Sequence, residues 1–208
     1  MLRNILYIIG SILVFFLGII IYGVVLNLRE ISLTEAMQIK NVTEVKNPKI
    51  IIDRKGYTLN LYSDSLFIKK YHAVFGKNKA SKKNSKDDFV TPIGTYKICK
   101  IADDEQYYKK LYLNYPNTKD ASEALRDKII NKMEFQEILS RIKNGNCPYP
   151  NTKLGADIAI QGIGEYNLIF KNLPFVFNWT NGSIAISNES IDELISVINV
   201  GTNVTIKN

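Results

Sequence analysis

A serine, a glutamine and a single histidine are the residues around which the chemistry of this chain has to be built. Ser183 sits in Asn178-Trp179-Thr180-Asn181-Gly182-Ser183-Ile184-Ala185-Ile186-Ser187-Asn188, and Gln161 in Ile158-Ala159-Ile160-Gln161-Gly162. A hydroxyl is far less acidic than a thiol of pKa ~8.5, so Ser183 stays protonated unless a strong base adjoins it. Gln161 is not that base, because a carboxamide donates and accepts hydrogen bonds without titrating near neutrality. His72 is the only histidine, and it falls in the β-prone run Lys70-Tyr71-His72-Ala73-Val74, where a lone histidine reads as a structural or surface residue. Asp157 precedes the Gln161 run and Glu165 follows it on a Gly-flanked turn. Either carboxylate could lie near a cleft, although acidic loop residues are usually solvated. Cys99 and Cys147 have no Cys or His neighbour at zinc-ligand spacing, so neither a metal nor another cofactor is expected.

The elements that position these residues begin with a hydrophobic segment. Ile5 to Leu26 is an uninterrupted uncharged run of 22 residues in a chain of 208. At 1.5 Å per residue it covers a ~30 Å hydrocarbon core. It exceeds the ~7–15 apolar residues of a signal-peptide core, and no A-x-A-like cleavage site follows, so a retained anchor is expected. A buried soluble helix fits poorly with an apolar surface on all sides. Arg3 lies before the run, and Arg29, Glu30, Glu35 and Lys40 after it, a weak vote for an inside N-terminus. The expected organisation is residues 1–4 inside, an anchor at 5–26, a linker or short membrane-proximal helix at 27–48, and one domain at 49–208.

That domain reads as mainly β with helical insertions. Lys49–Asp53 is a short apolar strand, Arg54-Lys55-Gly56 a turn, and Tyr57–Tyr62 an alternating return strand. Leu66–Gly76 supplies a third strand rich in β-formers, and Thr91-Pro92-Ile93-Gly94-Thr95-Tyr96 leads into a fourth. The period then changes. Asp120 and Glu123 have capping-box spacing, and Leu125, Ile129, Ile130, Met133, Phe135, Ile138, Leu139 and Ile142 follow helical spacing until Gly145 and Pro148. This is one broken helix or two short ones. A last helix over Glu189–Ile198, capped by Asn188, precedes a closing strand at Gly201–Ile206. The formal charge of +7 is concentrated in Lys77, Lys79, Lys82, Lys83 and Lys86, expected to be a solvated flexible loop. Its functional alternative is attraction to anionic lipid or wall polymers, at ~1 kcal/mol per Lys held near a surface. No aromatic residues interleave these lysines, so nucleic acid is not expected as a partner. Sequence spacing does not show that the two cysteines meet, and they are expected to be separate free thiols.

Several fragments in the same order resemble one family. The Asn178 to Asn188 stretch is similar to the D-W-T-x-G-C-I-A nucleophile motif of a subgroup of the L,D-transpeptidase (YkuD-like) catalytic domains, with Ser183 where that motif has its cysteine. Ile158–Gly162 resembles the family's I-x-I-H-G strand, with Gln161 at the histidine position. Thr91-Pro92-x-Gly94-x-Tyr96, Leu113–Asn117 with Asp120, Thr152-Lys153-Leu154-Gly155 and the Asn188–Ile206 end resemble further family segments. The resemblance covers nearly everything from Lys49 onward and implies a curved β-sandwich fold.

It also implies a function outside the cytoplasmic membrane, on the peptidoglycan stem peptides of the cell wall. In the family a cysteine attacks a stem-peptide carbonyl, a histidine carries the proton, and backbone N–H groups, here around Gly182 and Ser183, hold the oxyanion. Gly162, Trp179, Thr180 and Asn181 are then candidates for contacting the peptide. With both reactive groups replaced, the inherited mechanism is expected to be lost. Three readings follow: a pseudoenzyme that binds peptide, a serine acyltransferase or hydrolase with another base (His72 or Glu165), and a structural module without a pocket. Ser183 also has a plain explanation, since serine is nearly isosteric with cysteine and preserves the shape of the site. Trp179 and Thr180 would equally serve as core and turn residues, and Trp179 is expected to be mostly buried.

Overall fold

A computed structural model describes residues 2–27, 30–148, 151–172 and 177–208; Arg29 lies outside the described residues. Helix α1, Leu2–Asn27, is long and apolar enough to cross a membrane, a test that an anchor and a signal sequence both meet. Helix α2, Leu33–Ile39, opens on a capping box in which Ser32 and Glu35 exchange side-chain and backbone hydrogen bonds. Of the two readings of this stretch, linker or short helix, the structure holds a helix, and it packs on the domain. Leu33 and Ala36 are buried, and the Leu33 N–H donates to Glu193 Oε1 at 2.9 Å. Glu193 in turn accepts Lys69 Nζ at 2.5 Å.

The domain is one eight-stranded mixed sheet, in the order β3-β2-β1-β8-β4-β5-β6-β7. β1 (Pro48–Asp53) and β2 (Thr58–Ser63) form the expected hairpin, its turn closed by the Gly56 N–H on Asp53 Oδ1 at 2.8 Å. β3 (Leu66–His72) extends it, and the last strand, β8 (Asn203–Lys207), inserts parallel to β1 and antiparallel to β4 (Gly94–Asp104). β5 (Tyr108–Leu113), β6 (Ala159–Gln161) and β7 (Ile184–Ala185) complete the far side. Alternation places Ile50, Ile52, Leu59, Leu61, Val204 and Ile206 in the core. The sheet curls until its two ends meet, because Val74, just past β3, exchanges both backbone hydrogen bonds with Ala185 of β7 at 2.9 Å. The third strand expected to reach Gly76 therefore breaks after His72 and resumes as this closing bridge.

The helical insertion is two helices, α3 (Thr118–Arg126) and α4 (Lys132–Lys143). The capping box of α3 is one turn earlier than the spacing predicts: Asn117 is the cap and Asp120, expected there, is its N3 partner. A four-residue helix, α5 (Asn167–Phe170), follows β6, and α6 (Asn188–Ile195) precedes β8. Ser187 rather than Asn188 caps α6, since the Asn188 side chain is engaged with Gly164.

Two further expectations are corrected. Cys99 and Cys147 are a disulfide with Cα atoms 5.3 Å apart, because the chain after α4 folds back onto β4. The lysine loop is not simply solvated. Lys83 is buried with its ammonium on Asp88 Oδ1 at 2.6 Å and on the Ser85 carbonyl at 2.8 Å, and Lys82 pairs with Asp127. The four hydrogen bonds that Asp88 accepts outweigh its burial and hold its carboxyl below the ordinary range.

Candidate active site

The curl of the sheet brings residues 73–77 alongside residues 178–186. The Asn178 side chain accepts the Phe75 N–H at 3.0 Å, the Thr180 N–H donates to the Phe75 carbonyl at 3.1 Å, and the Lys77 N–H donates to the Thr180 carbonyl at 3.0 Å. Thr180 is buried, and its hydroxyl braces the turn that follows: Oγ1 donates to the Ser183 carbonyl at 2.5 Å and accepts the Gly182 N–H at 3.2 Å. Gly182 has φ +122, where an L side chain is strained, and a Cβ there would stand 2.9 Å from the Val90 carbonyl oxygen. Glycine is thus required immediately before Ser183.

Ser183 is half-buried. Its Oγ accepts the Ala159 N–H at 3.2 Å and points its own proton at the Asp157 carbonyl, 3.5 Å away. Both partners are backbone groups; among the described residues no titratable side chain hydrogen-bonds to the Ser183 hydroxyl. Gln161 lies on the neighbouring strand in parallel register with Ala185, so Ser183 precedes Gln161's partner by two residues and their side chains share one face diagonally. Gln161 is 3% exposed, and its carboxamide makes no hydrogen bond among the described residues, although its carbonyl accepts the Ile186 N–H at 3.0 Å.

The loop after Gln161 is held by close packing. A Cβ on Gly162 would meet Asn188 Oδ1 and the Tyr107 carbonyl, both at 2.7 Å, and one on Gly164 (φ +81) would meet the Gln106 carbonyl at 2.0 Å. Asn188 clasps Gly164 from both sides, accepting its N–H at 3.0 Å and donating to its carbonyl at 3.1 Å. Nearby, hydrogen bonds from Lys171 and Asn167 overcome the burial of Glu189 and bring its carboxyl down to about 2.

Trp179 is half-buried rather than mostly buried. It stacks on Tyr107 at 6.4 Å and 26° and lies 5.7 Å from the Phe170 ring, because it faces a cavity of about 610 Å³ instead of the core. That cavity is lined also by Glu105, Ile163, Glu165 and Tyr166, and neither Ser183 nor Gln161 is part of its lining. Asn181 is exposed, with its Oδ1 3.4 Å from Lys77 Nζ. His72 is exposed on β3, 3.9 Å from Glu30, and Glu165 belongs to the aromatic cavity, so neither hydrogen-bonds to Ser183.

Residues 47–206 match the family model of the L,D-transpeptidase catalytic domain. The chain belongs to that family. No curated protein matches it. Among solved structures, this L,D-transpeptidase-family domain is similar to the helical cell shape determining protein of Campylobacter jejuni, at 15% identity and TM-score 0.51, over 77% of this chain and 47% of that one. It is also similar to a Bdellovibrio bacteriovorus protein, at 19% identity and TM-score 0.50, over 78% and 48% of the two chains. These likenesses concern the fold, and the chain spans about half the length of those structures.

Sequence reasoning did not single out several residues that shape the site of this L,D-transpeptidase-family domain. Thr91 is fully buried and accepts the Gly76 N–H on Oγ1 at 2.9 Å, while its carbonyl accepts Arg54 Nη1 at 3.0 Å. Its signal was the Thr91-Pro92-x-Gly94-x-Tyr96 pattern, which spoke only to fold. In that pattern Gly94 is needed because a Cβ would stand 2.7 Å from the Tyr96 hydroxyl. Tyr107 and Phe170 carried no local signal; their rings reach Trp179 only through the tertiary fold.

Proposed function

We propose that this protein is a membrane-anchored pseudoenzyme of the L,D-transpeptidase family, with its domain on the outer side of the cytoplasmic membrane, binding a peptidoglycan stem peptide or a related extended peptide. Family chemistry requires a nucleophile ionised near neutrality and an imidazole to relay its proton. In the D-W-T-x-G-C and I-x-I-H-G motifs that this chain resembles, those roles fall on the positions of Ser183 and Gln161, and neither side chain can fill them. The observation that carries the reading is the environment of the Ser183 hydroxyl, whose hydrogen-bond partners are the Ala159 N–H and the Asp157 carbonyl. Neither can accept a proton from it as a base would. The Gly182 N–H, a candidate oxyanion donor, is already given to Thr180 Oγ1.

The polar side chains that peptide binding would use are Asn181, which is exposed, and Gln161, whose carboxamide makes no hydrogen bond among the described residues but is 3% exposed. The apolar length of α1 supports the anchor, with Arg3 favouring an inside N-terminus. A serine hydrolase using His72 or Glu165 lacks support, since neither contacts Ser183.

The test uses the full chain in detergent micelles with disaccharide-tetrapeptide muropeptides, following product masses and binding together. Wild type is expected to bind without releasing D-amino acid, and Ser183→Cys combined with Gln161→His is expected to gain release. Turnover by wild type that Ser183→Ala abolishes would overturn the proposal, and absence of binding would remove its peptide-binding half.

A further inference from the structure

We propose that the cavity beside Trp179 is a binding site for an organic ammonium group, distinct from the Ser183–Gln161 face and independent of whether Ser183 reacts. Its volume, about 610 Å³, is ordinary for a small-molecule site. Its wall is a connected set of rings: Trp179 stacks on Tyr107 and packs on Phe170, which meets Tyr166 edge-to-face at 6.3 Å. Aromatic faces carry negative electrostatic potential and attract a cation within ~6 Å of the centroid. One of these rings already holds one, because Lys110 Nζ stands 4.7 Å from the Tyr107 centroid.

The carboxylates decide the sign of the ligand. Three acids on the neighbouring elements are matched with lysines: Asp104 with Lys110, Asp192 with Lys109, and Glu189 with Lys171. Glu105 and Glu165 line the cavity itself and have no ion pair among the described residues. The nearby ammonium groups are therefore taken, and the cavity presents two unmatched negative charges beside an aromatic wall. A neutral ligand gains hydrogen bonds from that pair but leaves its charge unmatched, and an anion is repelled by it. An alkylammonium satisfies both features at once, its charge on the carboxylates and its methylene or methyl groups on the rings.

Trp179 is the only tryptophan in the chain, so its fluorescence reports this cavity alone. The full chain, held in a non-ionic polyoxyethylene detergent free of choline, is titrated with choline and in parallel with the uncharged isostere neohexyl alcohol and with a chitin oligosaccharide. Choline is expected to give a saturable change, with Kd raised roughly tenfold in Glu105→Gln/Glu165→Gln and unmoved in Glu137→Gln, an exposed carboxylate on α4. Glu165→Gln alone is expected to move Kd in the same direction, which keeps the test valid if the double variant folds poorly. Equal saturation by neohexyl alcohol, saturation by the oligosaccharide only, a Kd indifferent to the carboxylates, or no response to choline would each overturn the site.

Discussion

The backbone N–H of Ala159 donates to the Ser183 hydroxyl at 3.2 Å, so this side chain serves as a clasp between β6 and the turn leading into β7. A hydroxyl that accepts a buried N–H has a structural duty of its own. Removing it leaves that N–H without a partner in a residue that is fully buried. Ser183→Ala is therefore expected to destabilise the domain by about 1–3 kcal/mol, read as a lowered thermal midpoint of the full chain. An unchanged midpoint would show that the clasp is not made.

Glycine at 164 is fixed by two independent constraints, φ +81 and the Gln106 carbonyl 2.0 Å from where a Cβ would stand. Gly164→Ala should cost more than 2 kcal/mol, on the order of the largest single-residue effects. It should also blue- or red-shift Trp179 emission, because the displaced loop carries Glu165 and Tyr166 of the cavity wall. Gly145→Ala is the control: its φ of +71 is strained, but nothing lies within 4 Å of the new Cβ. It should be milder and leave the emission unmoved.

Burial pushes the Asp120 carboxyl up to about 6, against the opposing hydrogen bonds of the Asn117 N–H and the Tyr96 hydroxyl. An unfolded aspartate titrates near 3.9, so between ~4 and 6 the folded state holds a proton that the unfolded state has lost. The stability that this proton contributes is fully present below pH ~3.9 and is lost as pH rises through about 6. Asp120→Asn should flatten this part of the profile, so that the stability difference between variant and wild type grows in the variant's favour from pH 4.5 to 7. Parallel profiles over that range would refute the assignment.

The Cys99–Cys147 disulfide closes a loop with a sequence separation of 48 that contains α3 and α4. Constraining a loop of that length in the unfolded chain stabilises the native state by about 3–4 kcal/mol. Denaturant midpoints should fall on addition of dithiothreitol, and Cys99→Ser/Cys147→Ser should match the reduced wild type and no longer respond. Equal midpoints with and without reductant would remove the bridge from the stability of the fold.

How much of this was readable beforehand depends on the range over which each feature acts. The apolar run at Ile5–Leu26, the β1–β2 hairpin and the two inserted helices follow from periodicity and turn chemistry, which are local. The family motifs identified the curled β-fold and marked Ser183 and Gln161, because residue types in order survive in a string. The cap of α3 was placed one turn late because Asn117 and Asp120 are equally good caps, and the choice depends on where the chain leaves β5.

The sequence alone determined that a hydroxyl stands at position 183 and a carboxamide at position 161. Only the tertiary structure decided what surrounds them. The curl that pairs Val74 with Ala185 joins the two ends of the sheet, and packing of that curve sets Ser183 against Ala159. The same folding brings Tyr107 and Phe170 to Trp179 and joins Cys99 to Cys147. These are contacts between residues far apart along the chain, set by sheet curvature and close packing, and no local pattern encodes either.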